Sequence, residues 1–461
     1  MPEHPSGRPG SGTPELTCRQ KFLMKPRQQS AWRIIALVMG ATAAPETIDA
    51  GQEWPSRFGP HGNSHVPVAE AAGIPTSWDE ISGENIIWKM ELPEFGHSTP
   101  AVLNGRIWLT SASEDGRRQY VDCVDVATGG RLRHQLLFEN EDPEPLNNPI
   151  NTYASPTCVV TDDAVYVSFG SYGTARVDPR SLDVVWQRCD IKCRHYRGPG
   201  SSPVLHRNLL ILSFDGIDAQ FLIALDTKSG DTVWRTERST DYGDLDENGL
   251  PFREGDLRKA YSTPGLVIVD GRMQVVSVGS RAAFAYDADT GKEVWTIRHD
   301  DYNATAPPLF FENLAILNTG SSRANLVGID LNETTQGDVT ETHVVWDREK
   351  GNSRLASPLL YEGRIFMVTH AGAAVCIDAA SGRELNKLRI GGTFISSPIL
   401  ANGLIYVGND AGVVMVFRAD ASMDIVARNK VTEGIRSSPG AAGGRLYLRT
   451  MKHLYCIGTT P

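Results

Sequence analysis

The chain has 461 residues, of which 41% are hydrophobic and 22% charged, with a net charge of -10. This is a globular composition, long enough for one large all-β domain, and its dispersed Lys and Arg residues give no basic footprint for nucleic acid. No stretch reaches the roughly 20 apolar residues that a membrane-spanning helix needs.

The first feature in chain order is a leader. Lys25, Arg27 and Arg33 precede an apolar run at 34–44 that contains Ala41-Thr42-Ala43. That is the layout of a secretory signal with a small-residue cleavage site, so residues 1–43 read as a leader with Met1 or Met24 as start. A periplasmic or secreted location follows as an expectation, and Cys18 lacks the neighbours of a lipid-modified cysteine. Residues 44–80 read as an N-terminal extension, and 81–461 as a single domain.

That domain is repetitive. A small residue followed by proline recurs eight times, at Pro100, Pro156, Pro203, Pro264, Pro307, Pro358, Pro398 and Pro439. Each opens a four-strand unit, clearest from Ser201: SSPVL, LLILS, FLIALD ending in Asp226, then Lys228-Ser229-Gly230 and a strand carrying Trp234. Four short strands per unit make a propeller blade. Asn104-Gly105, Asp270-Gly271, Glu362-Gly363, Asn402-Gly403 and Gly443-Gly444 read as tight hairpins between the first two strands.

The last unit stops after its third strand at HLYCIG, while 86–92 (IIWKMEL) is a fourth strand without a blade. The expectation is an all-β, eight-bladed propeller of four-stranded antiparallel blades, closed by an N-terminal strand that completes the last blade and removes two exposed sheet edges. Trp88, Trp186, Trp234, Trp295 and Trp346 on the fourth strands are expected to pack between blades. Cys123, Cys376 and Cys456, at matching places of the third strand, are expected to be buried packing residues.

With these motifs in hand, the chain resembles the pyrroloquinoline-quinone-like (quinoprotein alcohol dehydrogenase-like) propellers over 54–458, most clearly in ALDTKSGDTVW at 224–234 and AYDADTGKEVW at 285–295. That motif is shared by quinone-dependent dehydrogenases and by a non-catalytic lipoprotein propeller of outer-membrane assembly, so the resemblance implies the fold and leaves the chemistry open. The chain departs from the dehydrogenases in having no adjacent cysteine pair and no haem-attachment motif, and its units are too short to wall in a quinone and its calcium.

In antiparallel blades the loops before each signature and those between second and third strands share one face. The first set holds His97, Asn151, Tyr153, Tyr196, Arg197, Lys259, Tyr261, Asn303, Arg354, Phe394 and Arg436. The second set adds Ser171, Tyr172, Ser280, Arg281, Ser322, Arg323, His370, Asn409, Asp410 and Lys452. This rim suits an anionic or polyhydroxy ligand, a peptide or a carboxylate-bearing cofactor, and equally a merely solvated edge. His97 is a candidate acid/base with no partner assignable from spacing.

In the insert at 240–258, Asp244, Asp246 and Asn248 spell the first half of a calcium loop, but Gly255 stands where a bidentate Glu belongs. Cys189 and Cys193, with His195 nearby, allow a local disulfide or a Cys/Cys/His zinc site. The leading reading is a cofactor-free, non-catalytic binding or scaffold module, monomeric by default, that meets a protein, peptide or glycan partner through its loop face. The alternative is a quinone-dependent oxidoreductase using pyrroloquinoline quinone and calcium, and a third reading is a structural part of an envelope assembly.

Overall fold

The computed structural model describes residues 53–147 and 149–459, so the leader, Cys18 and both candidate starts lie outside the described residues. The apolar-polar alternation folds into eight antiparallel sheets in chain order, each with four strands apart from one short addition. Blade three, for example, consists of Val204–His206, Leu209–Asp215, Gln220–Asp226 and Thr232–Glu237. The expected hairpins form because both turn residues adopt positive φ, as at Asn104 (51°) and Gly105 (71°). No helix among the described residues is long and apolar enough to cross a membrane.

Closure follows the expected route. Ile86–Glu91 pairs antiparallel with His453–Ile457 and completes the sheet begun by Gly440–Ala442 and Arg445–Arg449. Glu80 fastens this seam: it bonds Lys89 of the closing strand at 2.8 Å, Thr432 of blade seven and Tyr455 of blade eight at 3.0 Å. Burial raises the Glu80 pKa, but these hydrogen bonds outweigh it and hold the carboxyl down at about 2.

The fourth-strand tryptophans dock one blade onto the next. The indole Nε1 of Trp88, Trp186 and Trp234 donates to Val126, Thr227 and Ala288 O at 3.0, 3.1 and 3.3 Å. Each ring covers the glycine of the next blade's Asp-x-x-x-Gly turn; a Cβ on Gly230 would lie 2.7 Å from Trp186. Glycine at this position therefore serves both the positive φ and the close approach of the ring. Trp346 meets Gly382 the same way. Trp295 differs because blade five lacks that turn: its Nε1 bonds Gln274 Oε1, and Gly337–Asp338 adds a parallel fifth strand beside it. Cys123, Cys376 and Cys456 are fully buried.

The inner ring carries a belt of hydroxyls. Thr99 N donates to Thr157 Oγ1, Thr157 N to Ser202 Oγ and Ser202 N to Thr263 Oγ1; further on, Ser357 N donates to Ser397 Oγ and Ser397 N to Ser438 Oγ, all at 2.9–3.0 Å. The belt corrects the repeat register in two blades. Thr157, not the residue before Pro156, is the counterpart of Thr99, and Pro307 itself occupies the hydroxyl position. Pro307 has neither hydroxyl nor N–H, so the belt breaks there and the buried Ser357 Oγ has no hydrogen-bond partner.

Residues 53–66 do not lie outside the ring. Trp54 exchanges both backbone bonds with Val102 of blade one, Pro55 O accepts from Val160 of blade two, and Ser64 and Val66 bond Leu400 of blade seven. His65 Nε2 meets Leu360 O of blade six at 2.7 Å. These partners sit toward the tight-turn ends of the innermost strands, so the segment crosses the channel on the face opposite the long loops.

Candidate functional site

The long-loop face holds a central cavity of about 350 Å³ to which all eight blades contribute. His97, Asn151, Arg197, Tyr261, Asn303, Arg354 and Arg436 line it as the sequence places them, together with His370 from the second loop set. Tyr153, Tyr196, Lys259 and Phe394 of the first loop set stand elsewhere, and of the second set Arg323 and the others besides His370 do not line it. Tyr153 is buried and its hydroxyl donates to Glu144 O. Tyr196 lies beneath the Arg197 and Lys259 cations. Lys259 is fully buried, held by Asp256 at 2.5 Å. Arg323 pairs with Asp300 beside a separate groove, and Phe394 belongs to the core between blades six and seven.

Arg57 also lines this cavity, and it comes from the segment that crosses the channel. The position reads as an ordinary loop residue because its hydrogen-bond partners, Gly200 and Thr263, lie 143 and 206 residues away in sequence. Its Nη1 makes only two long bonds, to Gly200 O at 3.4 Å and Thr263 Oγ1 at 3.5 Å. Desolvation draws its pKa down to about 10. Arg197 and Arg436 are backed by Asp256 and Asp410, each at 2.8 Å. Arg354 is exposed at the rim.

His97 stands over a second buried cation. Arg449, 1% exposed, donates to Ser98 Oγ at 2.6 Å and Thr110 O at 2.9 Å, and its Nε and Nη2 have no hydrogen-bond partner. Burial, then the Arg449 and Arg436 charges, push the His97 pKa down to about 3, so its imidazole is neutral. Its Nε2 is buried without a hydrogen-bond partner, and no Ser, Asp or Glu among the described residues bonds the ring. The geometry therefore gives His97 no orienting group of the kind a general base uses.

The two metal candidates are organised differently from a coordination sphere. Asp244 is clamped by Arg258 at 2.5 Å, and Asp246 Oδ1 accepts the N–H groups of Asn248 and Leu250, closing its own turn. Cys193 is a buried thiol that forms no disulfide, 3.7 Å from His195 Nδ1, while His195 Nε2 accepts the Ser171 N–H at 2.9 Å. Burial raises the Cys193 pKa and lowers that of His195 to about 4, the reverse of an activated thiolate pair. No group of three or more metal-binding side chains occurs among the described residues.

A calcium-bound quinone does not fit the donor set of the central cavity. Calcium takes six to eight oxygen ligands with carboxylates prominent, and no Asp or Glu lines this cavity.

The family model described as outer membrane protein assembly factor BamB matches residues 29–189 and 220–424. A BamB of Nitrosomonas eutropha is 25% identical over 192 residues, 36% of this chain and 46% of the relative, so the match spans about half the length of that protein. The crystal structure of BamB from Moraxella catarrhalis superimposes with a TM-score of 0.55 at 15% identity, covering 81% of this chain and 99% of that one. Quinohemoprotein alcohol dehydrogenase from Comamonas testosteroni gives 0.65 at 11% identity, covering 90% of this chain and 82% of that one. At such identities the two structures speak to the fold alone.

Proposed function

The chain belongs to the BamB family of pyrroloquinoline-quinone-like propellers, and from that premise we propose that it is a non-catalytic binding propeller of the cell envelope that presents its long-loop face to a protein partner. One observation carries the reading: the insert at 240–258 carries a hairpin at 244–252 whose Leu245, Leu250 and Phe252 are 61, 62 and 58% exposed. Exposed apolar groups clustered on one short element are what a protein interface buries.

The hairpin is built rather than loose. Leu245 bridges Pro251, Asp246 N bonds Leu250 O at 2.8 Å, Phe252 N bonds Asp244 O at 2.8 Å, and Arg258 grips Asp244. Asp256 at its base pairs with Arg197, which ties the hairpin to the cavity mouth. A rigid presentation lowers the ordering cost of association.

The test is site-specific photo-crosslinking in envelope-bearing cells. A crosslinker at 252 is expected to trap one discrete protein, while a crosslinker at Ile268, 65% exposed near the tight-turn face, traps none. Equal capture from both positions would refute the loop face as the docking surface. A robust turnover of a small-molecule substrate by the purified chain would refute the non-catalytic reading.

A further inference from the structure

The central cavity asks for a ligand of its own, separate from any partner at the hairpin. Four arginines line it and no carboxylate does, in a chain whose net charge is -10. Arg197 and Arg436 have their charges met by Asp256 and Asp410 behind the wall. Arg57 has no carboxylate among the described residues, and it lies at the channel floor between this cavity and the one on the opposite face. This half-buried guanidinium lies 5.0 Å from the Phe58 ring centroid and makes two long hydrogen bonds to neutral oxygens, so it retains N–H groups for an anion, and the fork geometry suits a carboxylate or a phosphate.

The remaining lining narrows the class. Asn151 and Ser155 bond each other and the backbone of 152, 197 and 199, which leaves Asn303 as the neutral polar group open to a hydroxyl, while Tyr261, Leu355 and Ile395 supply apolar wall. The buried Asn303 Oδ1 has no hydrogen-bond partner in the structure and is an acceptor available to a ligand hydroxyl. A cavity of about 350 Å³ lies at the small end of ligand pockets, which favours a compact ligand.

We propose that the cavity binds a small, metal-free organic anion, a carboxylate- or phosphate-bearing compound of monosaccharide size, anchored by Arg57 from the chain's own N-terminal segment. The blade loops provide the walls and a rim charge at Arg354, and the crossing segment provides the anchoring charge at Arg57, so binding also requires that segment in place. The site is independent of the hairpin: its occupancy does not depend on whether the loop face docks a protein.

Isothermal titration of the intact chain with glucuronate, glucose 6-phosphate, inorganic phosphate and uncharged glucose tests this. At least one of the two sugar anions is expected to bind with a Kd below about 1 mM and glucose not to bind, with which anion binds identifying the head group. Arg57→Gln is expected to weaken binding tenfold or more, and a chelator to leave it unchanged. Should Arg57→Gln alter the unfolding midpoint, Arg354→Gln serves in its place, because that exposed rim side chain has no ion-pair partner among the described residues; it is expected to weaken binding severalfold. Failure of both anions to bind at about 10 mM, equal binding of glucose, full retention by both variants, or a requirement for calcium would each overturn the proposal.

Discussion

Replacing Ser397 with alanine removes the acceptor that Ser357 N reaches at 2.9 Å in the inner belt. Both residues are about 2% exposed, so the orphaned N–H has no water to turn to, and the expected cost is about 1–3 kcal/mol. Ser357→Ala is chemically the same change one blade earlier, yet it should be neutral or stabilise by up to about 1 kcal/mol. There the hydroxyl is buried without a partner, because Pro307 cannot supply the N–H that every intact step of the belt uses. The assay is the urea midpoint of each variant at constant m, where a shift in midpoint alone reports stability. If Ser357→Ala destabilises as much as Ser397→Ala, the belt is not an energetic unit and the argument from hydroxyl satisfaction is wrong.

Gly230→Ala should destabilise by about 1–3 kcal/mol, because its Cβ meets Trp186 at 2.7 Å on top of an unfavourable φ of 77°; Gly271→Ala, with φ of 72° and open space around it, should cost only the conformational part, and equal midpoints would refute the docking role. Arg238, 1% exposed in its side chain, bonds Asp215 of the same blade at 2.7 and 2.9 Å and reaches Ser277 of blade four at 2.9 Å, so Arg238→Met should cost about 3–5 kcal/mol by leaving a buried carboxylate unpaired. Pairing it with Asp215→Leu should recover much of that in a double-mutant comparison. Glu80 has a folded pKa depressed to about 2, so its contribution is present above its ordinary value near 4.5 and is lost as pH falls through about 2. Glu80→Gln should therefore flatten the acid limb of the stability profile in that window and leave the curve's shape above it unchanged.

The blades, the closing strand and the docked tryptophans are legible in the sequence because each depends on local periodicity and on turn residues that repeat. Two signatures mislead by one position: at Pro156 and Pro307 the eye follows the proline, whereas the structure conserves the hydroxyl slot and tolerates Cys158 or a second proline around it. Seven of the eleven residues expected just before a signature converge on the cavity because that chain position fixes their place on the ring. Tyr153, Lys259 and Phe394 share that position but turn into the protein, a choice made by neighbouring blades rather than by their own loop. Arg57 and the Arg238–Asp215 pair were not readable, since what makes them matter is a partner dozens to hundreds of residues away.

The seam formed by 86–91 and 453–457 also sets a timetable. During synthesis the strand Ile86–Glu91 exists long before His453–Ile457 emerges to pair with it. Every intermediate length is thus an open arc with an unsatisfied edge at each end. The polypeptide remains threadable, and exposed to proteases and chaperones, until its final hairpin arrives; completion then joins the earliest and latest parts of the domain in a single event. Removing only that last strand should consequently change more than one blade, because the whole circle loses its clasp.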